Sequence, residues 1–292
     1  MALFKKDFMN RALIIGASGL LGRAIVDELI SKDYYVGSLS RNSINIESSY
    51  LKEHLIDVLD YRKLEIVISE YDFIINCTGQ ITNPISNCLA LNTDGIQNIV
   101  DAAKKYNKQL LHFSSVSVYG SAEFVNEESN LNPETIYASL KCFSEHIIKK
   151  NLKDCIIFRV SNLYGKNQKK GVVGYLVNQY INNLTDLSFN NNGDMRRYYL
   201  NVSQLAEIAF YALEEDLKPG IYNVIGEDNL SIKELVEKFN SNLNYCFSAK
   251  YEKSLPLENI NKIDCSKIKR ELNLPRNTLI DLFIKNVKDE KY

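Results

Sequence analysis

A tyrosine and a lysine four positions apart, Tyr137 and Lys141, stand at the start of a segment with helical spacing. Residues at i and i+4 share one face of a helix, so the two side chains are expected to lie together. A nearby ammonium favours the phenolate form of tyrosine, which prepares Tyr137 to exchange a proton with a carbonyl or alcohol oxygen. Ser115 lies 22 positions earlier in a predicted strand that ends in hydroxyl residues, and it can donate a hydrogen bond to the same oxygen. The pattern predicts an acid/base site.

A second pattern is the glycine turn Gly16-Ala17-Ser18-Gly19-Leu20-Leu21-Gly22, which follows a predicted strand and opens a predicted helix. Glycines in this context let the backbone approach a pyrophosphate, which then lies at the helix N-terminus. The spacing is G-x-x-G-x-x-G and not the commoner G-x-G-x-x-G, so a plain strand-to-helix turn is the competing interpretation. The favoured interpretation is a dinucleotide site.

The residues that follow the next two predicted strands bear on the choice of dinucleotide. An NAD site usually has an acidic residue after the second strand, where this chain has Ser40 and Arg41. Arg41 can pair with a 2′-phosphate, so NADP is favoured and NAD remains the alternative. Asp57 and Val58 follow the third strand and are expected to face the adenine.

Composition excludes several classes of protein. The chain has 292 residues with 35 basic and 36 acidic side chains, which argues against nucleic acid as the main partner. No apolar run is long enough to span a membrane, and Met1–Arg11 shows no secretory signal, so a cytoplasmic location is expected. Six cysteines without a C-x-x-C pair and three scattered histidines predict reduced thiols and no metal site.

Strand-like and helix-like runs alternate through the first half of the chain, which predicts an α/β fold with a doubly wound parallel sheet of the Rossmann type. Residues 1–165 are assigned to the dinucleotide-binding domain. Residues 166–292 are assigned mainly to a small substrate-binding cap, and a segment near 200–226 is expected to return to the first domain. The predicted strands include His54–Ile56, Gln109–Val118 and Cys155–Val160. The segments Leu20–Ser31 and Asn92–Tyr106 are each predicted to be one helix. The tail is predicted to form two short helices separated by Pro275.

These motifs, in this order, resemble the extended short-chain dehydrogenase/reductases, the NAD(P)-dependent epimerases, dehydratases and reductases of nucleotide sugars. The resemblance covers most of the chain and includes the glycine turn, CTG at 77–79, SSVSVYG at 114–120, YASLK at 137–141, RVSNLYG at 159–165 and GIYNVIG at 220–226. It implies that Ser115, Tyr137 and Lys141 are catalytic. It further implies a cofactor site that includes two of these catalytic residues, the glycine turn and the ends of the next strands. The residues are Gly16, Ser18, Gly19, Leu20, Leu21, Gly22, Ser40, Arg41, Asp57, Val58, Cys77, Thr78, Gly79, Asn92, Tyr137 and Lys141.

The resemblance also implies a nucleotide-sugar substrate held by Ser117, Asn162 and Arg197, and a homodimer formed through the helices at 92–106 and 137–151. The dehydratases of this family have an Asp-Glu pair where this chain has Val116 and Ser117, which disfavours dehydration. The leading expectation is NAD(P)H-dependent reduction of a 4-keto-6-deoxy nucleotide sugar in surface-glycan biosynthesis. An NAD-dependent 4-epimerase is the first alternative. A regulatory or assembly protein that binds cofactor without turnover is the second.

Overall fold

The fold is that of a computed structural model, which describes residues 10–79, 83–254, 258–274 and 278–290. Through residue 160, strands and helices follow one another in near alternation. The elements are β1 (Arg11–Ile15), α1 (Leu20–Ser31), β2 (Tyr35–Ser40), β3 (Leu51–Leu55), α2 (Tyr61–Ser69), β4 (Phe73–Asn76), α3 (Ile85–Ala90), a π-helical turn (Leu91–Gly95), α4 (Ile96–Lys105), β5 (Gln109–Ser115), a 3-10 turn (Val116–Tyr119), β6 (Ala122–Val125), α5 (Ile136–Asn151) and β7 (Cys155–Val160).

Later in the chain the strands are shorter and the order is less regular. The elements are β8 (Asn162–Tyr164), α6 (Gly171–Ile181), β9 (Asp186–Phe189), β10 (Arg196–Asn201), α7 (Val202–Glu214), β11 (Gly220–Val224), β12 (Asp228–Ser231), α8 (Ile232–Leu243), β13 (Ser248–Tyr251), β14 (Ile260–Ile263), α9 (Ser266–Glu271) and α10 (Ile280–Glu290).

Seven strands form one parallel sheet in the order β11-β7-β5-β4-β1-β2-β3. The predicted doubly wound α/β fold is confirmed. The strand order reverses between β1 and β4, so the loops that follow these two strands diverge and leave a crevice at the carboxyl edge of the sheet. The glycine turn follows β1 at this edge, and Ser115 is the last residue of β5.

Apolar side chains cover both faces of the sheet, as a parallel sheet between helices requires. On one face α1 and α7 pack together over the sheet, with Leu21, Ile25, Leu205 and Ala209 in the same buried cluster. On the other face α2, α4 and α5 cover the strands. The helix α7 and the strand β11, at residues 202–224, thus pack with elements of the first half of the chain.

A third buried cluster joins α6, α8 and α10 to β9 and β10. Three small sheets accompany it, with strand orders β12-β10-β8, β13-β9 and β14-β6. The division of the chain near residue 165 into a dinucleotide-binding domain and a cap stays a prediction that these packing clusters support.

Several local predictions differ from the structure. The third strand is β3, Leu51–Leu55, and not His54–Ile56. The strand β5 ends at Ser115 because the Ser115 side chain accepts a hydrogen bond from the Ser117 amide and starts the 3-10 turn. The predicted helix Asn92–Tyr106 begins as a π-helical turn and continues as α4.

Two sequence predictions fall outside the described residues in whole or in part: the first nine positions of the polar N-terminal segment, and Pro275 between the tail helices. Among the described residues, no helix combines the length and apolar character needed to cross a membrane. The six cysteines, all in described positions, are free thiols.

Candidate active site

The glycine turn connects β1 to α1 with its backbone in close contact with neighbouring backbone. Gly16 has φ +87°, and a Cβ there would lie 3.1 Å from the Thr78 Cγ2 atom and 3.2 Å from the Cys77 carbonyl carbon. A Cβ on Gly22 would lie only 2.2 Å from the Gly16 oxygen. Gly19 is the N-cap residue of α1, and no described side chain caps the helix there. The first amides of α1 therefore face the crevice and suit an anion such as a pyrophosphate.

A cavity of about 190 Å³ opens beside this turn. Ten predicted cofactor residues line it: Gly16, Ser18, Gly19, Ser40, Arg41, Asp57, Val58, Cys77, Thr78 and Gly79. Leu21 and Gly22 are buried beneath the turn, and Leu20 is partly buried against the same core, so these three support the turn without lining the cavity. The lining fits a dinucleotide, because the turn leaves room for close approach and the helix N-terminus is uncapped.

The end of the cavity at β2 and β3 presents one basic side chain. Arg41 is exposed, and the neighbouring Ser40 hydroxyl donates a hydrogen bond to the Asn42 carbonyl. The loop after Arg41 is held by the Glu53 carboxylate, which accepts hydrogen bonds from the Ile44 amide at 2.8 Å and from the Ser43 hydroxyl. Arg41 thus extends from an anchored loop into solvent at the mouth of the cavity.

Lys141 lies beneath the junction of β4 and β5. Its Nζ atom donates hydrogen bonds to the carbonyl oxygens of Phe113 at 3.0 Å and Thr78 at 3.3 Å. Burial lowers the pKa of Lys141 to about 8, because the surrounding protein solvates the ammonium less well than water does. The Nζ atom lies 6.0 Å from the centre of the Tyr137 ring, as their positions on one helix face predict.

Asn92 shapes the turn after β4. Its side-chain amide donates hydrogen bonds to the carbonyl oxygens of Gly79 at 3.2 Å and Cys88 at 2.9 Å. Gly79 has φ +83°, and a Cβ there would approach the Asn92 Oδ1 atom to 2.5 Å and the Lys141 Nζ atom to 3.0 Å. Asn92 and Lys141 thus support the cavity wall from below, and neither is among the residues that line the cavity.

A second cavity, of about 270 Å³, lies beyond Tyr137. Its lining includes all the predicted substrate residues, Ser117, Asn162 and Arg197, together with Ser115 and Tyr137. The Ser115 and Ser117 hydroxyl oxygens are 2.9 Å apart, so the two form a hydrogen-bonded pair at the cavity wall. The structure therefore brings a phenol, two hydroxyls and a guanidinium around one space.

The charges of this cavity were only partly predictable. Arg197 donates a hydrogen bond to the Glu258 carbonyl at 2.9 Å, and its Nη2 atom is 3.9 Å from the Glu258 carboxylate. Burial lowers the pKa of Arg197, and the Glu258 charge opposes that effect. Arg196 also lines the cavity and pairs with Glu234 at 3.0 Å. Neither Glu258 nor Arg196 was predicted to belong to the site, because no motif marks them.

Among the described residues, no group of three or more His, Cys, Asp or Glu side chains is placed to hold a metal ion. The polar groups that line the two cavities include hydroxyls, guanidinium groups, the carboxylates of Asp57 and Glu258 and the amide of Asn162, and the Lys141 ammonium lies beneath the wall. They suit proton transfer and anion binding.

The family model described as "NAD dependent epimerase/dehydratase family" matches residues 12–224. A putative UDP-glucose 4-epimerase of Methanocaldococcus jannaschii is 26% identical over 264 residues, which cover 82% of this chain and 85% of the relative. A dTDP-4-dehydrorhamnose reductase of Aggregatibacter actinomycetemcomitans is 25% identical over 233 residues, 76% of each chain.

A crystal structure of Thermus thermophilus UDP-glucose 4-epimerase in complex with NAD superposes with a TM-score of 0.84 at 19% identity. The superposition covers 96% of this chain and 98% of that one. The matched family model confirms the resemblance inferred from the motifs, and this chain belongs to the NAD-dependent epimerase/dehydratase family of enzymes.

Proposed function

We propose that this enzyme reduces the carbonyl group of a nucleotide-activated 4-keto-6-deoxy sugar with NAD(P)H. The observation that carries the proposal is the shared cavity of about 270 Å³, where Ser115, Tyr137 and Arg197 face the same space. A reductase needs a proton donor and a hydrogen-bond donor at the substrate oxygen, and an anchor for the substrate phosphates. The reductase among the relatives supports this choice of reaction.

Tyr137 delivers the proton in this mechanism and Ser115 orients the carbonyl oxygen that receives it. Lys141 contributes its positive charge, which lies 6.0 Å from the Tyr137 ring and favours the phenolate that remains after proton transfer. Ser117 supports Ser115 through the 2.9 Å contact between their hydroxyls. The nicotinamide cofactor, when bound, supplies the hydride. Arg197 and Asn162 hold the diphosphate and the sugar.

The proposed cofactor is NADPH, and NADH is the alternative. Arg41 supports NADPH because an exposed guanidinium at the end of β2 can pair with a 2′-phosphate. The Thermus thermophilus enzyme was solved with NAD, which keeps NADH open. The proposal is tested with Arg41→Ala: a charge-assisted contact with phosphate contributes about 1.5–3 kcal/mol, so the Kd for NADPH should rise roughly tenfold to hundredfold. The Kd for NADH should not change, and an equal effect on both cofactors would exclude the 2′-phosphate contact.

A 4-epimerase is the second candidate, favoured by the relative at 26% identity. An enzyme that oxidises and re-reduces the same sugar keeps its NAD between turnovers, whereas a reductase exchanges cofactor in every turnover. Gel filtration followed by measurement of bound nucleotide separates them. Stoichiometric NAD retained by the purified protein would contradict the reductase proposal.

The direct test of function is NAD(P)H consumption in the presence of nucleotide-linked 4-keto-6-deoxy sugars. The Tyr137→Phe variant should bind cofactor normally and lose turnover, because it keeps the ring and removes the proton donor. A regulatory or assembly role without turnover predicts instead that Tyr137→Phe leaves cellular function intact. Complementation of a surface-glycan defect by the two forms of the protein distinguishes these outcomes.

We further propose that the enzyme works in the cytoplasm as a homodimer. The six free cysteines fit a reducing compartment.

The dimer is proposed to form through α4 and α5. Phe143 on α5 is 44% exposed and Ile136 at its first turn is 62% exposed, and such side chains are favourable at an interface.

A further inference from the structure

A buried ion pair lies one helical turn from Lys141, and the proposed mechanism does not use it. Arg159 on β7 donates two hydrogen bonds to the Glu145 carboxylate, at 3.0 and 2.7 Å. Both side chains are 2% exposed. Burial lowers the pKa of Arg159, but its hydrogen bonds to Glu145 and the charge of that carboxylate raise it more, so the guanidinium stays charged.

The same carboxylate also contacts the strand that carries Ser115. The Ser114 hydroxyl donates a hydrogen bond to a Glu145 oxygen at 2.6 Å. On the other side, Arg159 donates to the Tyr119 hydroxyl at 2.9 Å, at the end of the 3-10 turn that begins after Ser115. Glu145 is thus connected directly to Ser114, which precedes the segment 115–119, and through Arg159 to Tyr119 at the end of that segment.

The three proposed catalytic residues come from two elements, Ser115 from β5 and Tyr137 and Lys141 from α5. Their relative positions depend on how α5 lies along β5. Lys141 contacts the Phe113 carbonyl, and Glu145 contacts the next residue, Ser114. Two successive residues of β5 are therefore bonded to two successive turns of one helix face.

We propose that Glu145 is a positioning residue of this active site. Its carboxylate holds α5 in register with β5 and β7, which places Tyr137 opposite Ser115, and its charge stabilises the ammonium of Lys141. The inference deepens the proposed function and rests on it for the roles of these three residues.

Stability alone does not explain such a pair. A buried ion pair costs desolvation, and apolar side chains of similar volume often serve stability as well or better. The consequence specific to a carboxylate here is directional bonding combined with negative charge.

The titratable and charged groups around Lys141 and Glu145 are Cys77 at the end of β4, Cys88 on α3, His112 on β5, Tyr119 in the 3-10 turn, Tyr137 and Cys142 on α5, and Arg159 on β7.

Two variants test the two parts of the inference. Glu145→Gln keeps the shape of the side chain and removes its charge. In this variant, the alkaline limb of the pH profile of kcat, where kcat falls as pH rises, should move to lower pH by about half a unit or more. Lys141 then loses its proton more readily. Ser114→Ala removes one hydrogen bond and keeps the charge. It should lower kcat by roughly tenfold without moving that limb, because a small misplacement of reacting groups is costly.

The matched control is Phe158→Leu, one residue before Arg159 on the same strand and packed in the core on the opposite face of the sheet. It should lower the melting temperature and leave the pH profile of kcat unchanged. A shifted limb in Phe158→Leu, or an unshifted limb in Glu145→Gln, would overturn the inference about charge. Wild-type kcat in Ser114→Ala would overturn the inference about position.

A second readout separates this inference from the proposed reaction. The affinity for reduced cofactor, followed by its fluorescence as pH rises, reports the protonation of Lys141 without any sugar substrate. If Glu145→Gln shifts this binding profile while no keto sugar is reduced by the wild type, the proposed reaction fails and the charge role of Glu145 stands. If Glu145→Gln folds and binds cofactor with the wild-type profile, the charge role is wrong whatever the reaction. If Glu145→Gln does not fold, Ser114→Ala still decides whether the hydrogen bond between Glu145 and β5 positions the site.

Discussion

Replacing Gly22 with alanine is the sharpest geometric test of the glycine turn. The added Cβ would lie 2.2 Å from the Gly16 oxygen, 2.8 Å from the Ala17 Cα and 2.9 Å from the Gly16 carbonyl carbon. All three atoms belong to the backbone, so no side chain can rotate away. Relief of the clash requires α1 to move by about 1 Å from the turn, since non-bonded carbon and oxygen atoms prefer at least about 3.3 Å.

The displacement should have two measurable effects. Overpacking of this kind costs about 1–3 kcal/mol of the free energy of unfolding, which lowers the melting temperature by roughly 2–10 °C in a protein of this size. It also separates the first amides of α1 from the turn. These groups are expected to bind the cofactor pyrophosphate, so the Kd for cofactor should rise by about tenfold or more.

Two other glycines provide matched controls. A Cβ on Gly19 would meet a single atom, the Gly16 oxygen, at 3.3 Å, and Gly19 has an ordinary φ of −77°. A Cβ on Gly95 would lie 3.3 Å from the Val58 Cγ1 atom, with helical backbone at φ −62°. Gly19→Ala should leave the melting temperature within about 2 °C of wild type, and Gly95→Ala should change it little because alanine favours the helix.

Thermal unfolding and isothermal titration with cofactor provide the two measurements for all three variants. If Gly22→Ala keeps the wild-type melting temperature and the wild-type Kd, the close approach of Gly22 to the turn is not what fixes the pyrophosphate site. A loss of stability in Gly19→Ala equal to that in Gly22→Ala would also refute the reasoning, because a Cβ on Gly19 meets one backbone atom at 3.3 Å and should not displace α1.

Three further predictions concern the proposed catalytic and interface residues. Burial lowers the pKa of Lys141 to about 8, so kcat should be at its maximum below that pH and fall as pH rises through it. A flat pH profile of kcat from about pH 7 to 9.5 would contradict the role of the Lys141 charge. Arg197→Met should raise the KM for the nucleotide sugar by roughly tenfold to hundredfold and leave the KM for cofactor unchanged. The Arg196 side chain is 37% exposed, so Arg196→Met should have a much smaller effect on the KM for the nucleotide sugar. Phe143→Asp should convert the proposed dimer to a monomer in gel filtration, and an unchanged elution volume would place the interface elsewhere.

The parallel sheet and its helices could be predicted because their patterns are long and repetitive. The helix α1 was predicted as Leu20–Ser31 and is observed with the same bounds. The strand β7 was likewise predicted as Cys155–Val160. The β7 segment is apolar except for Arg159, which is close to the pattern of a strand covered on both faces.

Six strands were not predicted, and all are three to six residues long. β12 reads Asp-Asn-Leu-Ser and shows no alternation, and β13 reads Ser-Ala-Lys-Tyr, whose alternation extends over only four residues. Their pairing depends on distant partners, since β13 joins β9 and β12 joins β10. Information of this kind lies in the tertiary structure and not in the local sequence.

The predicted site residues fall into two groups in the structure. Residues at the ends of the sheet strands or just after them, such as Ser115 and Gly79, line the two cavities. Glu258 was missed because it meets Arg197 across 61 positions of the chain. Leu21 follows the turn motif in sequence but lies in the core, because helical periodicity turns its side chain away from the crevice.

The packing of α1 against α7 has a consequence for synthesis of the chain. The apolar face of α1, with Leu21, Ile25 and Leu29, is buried in the same cluster as residues of α7. Ser31 ends α1 and Glu214 ends α7, so a ribosome adding about 5–20 residues per second needs on the order of ten to forty seconds to supply the covering helix. Over that interval the nascent first half exposes an apolar surface, and we expect it to require chaperone protection more than the later segments do.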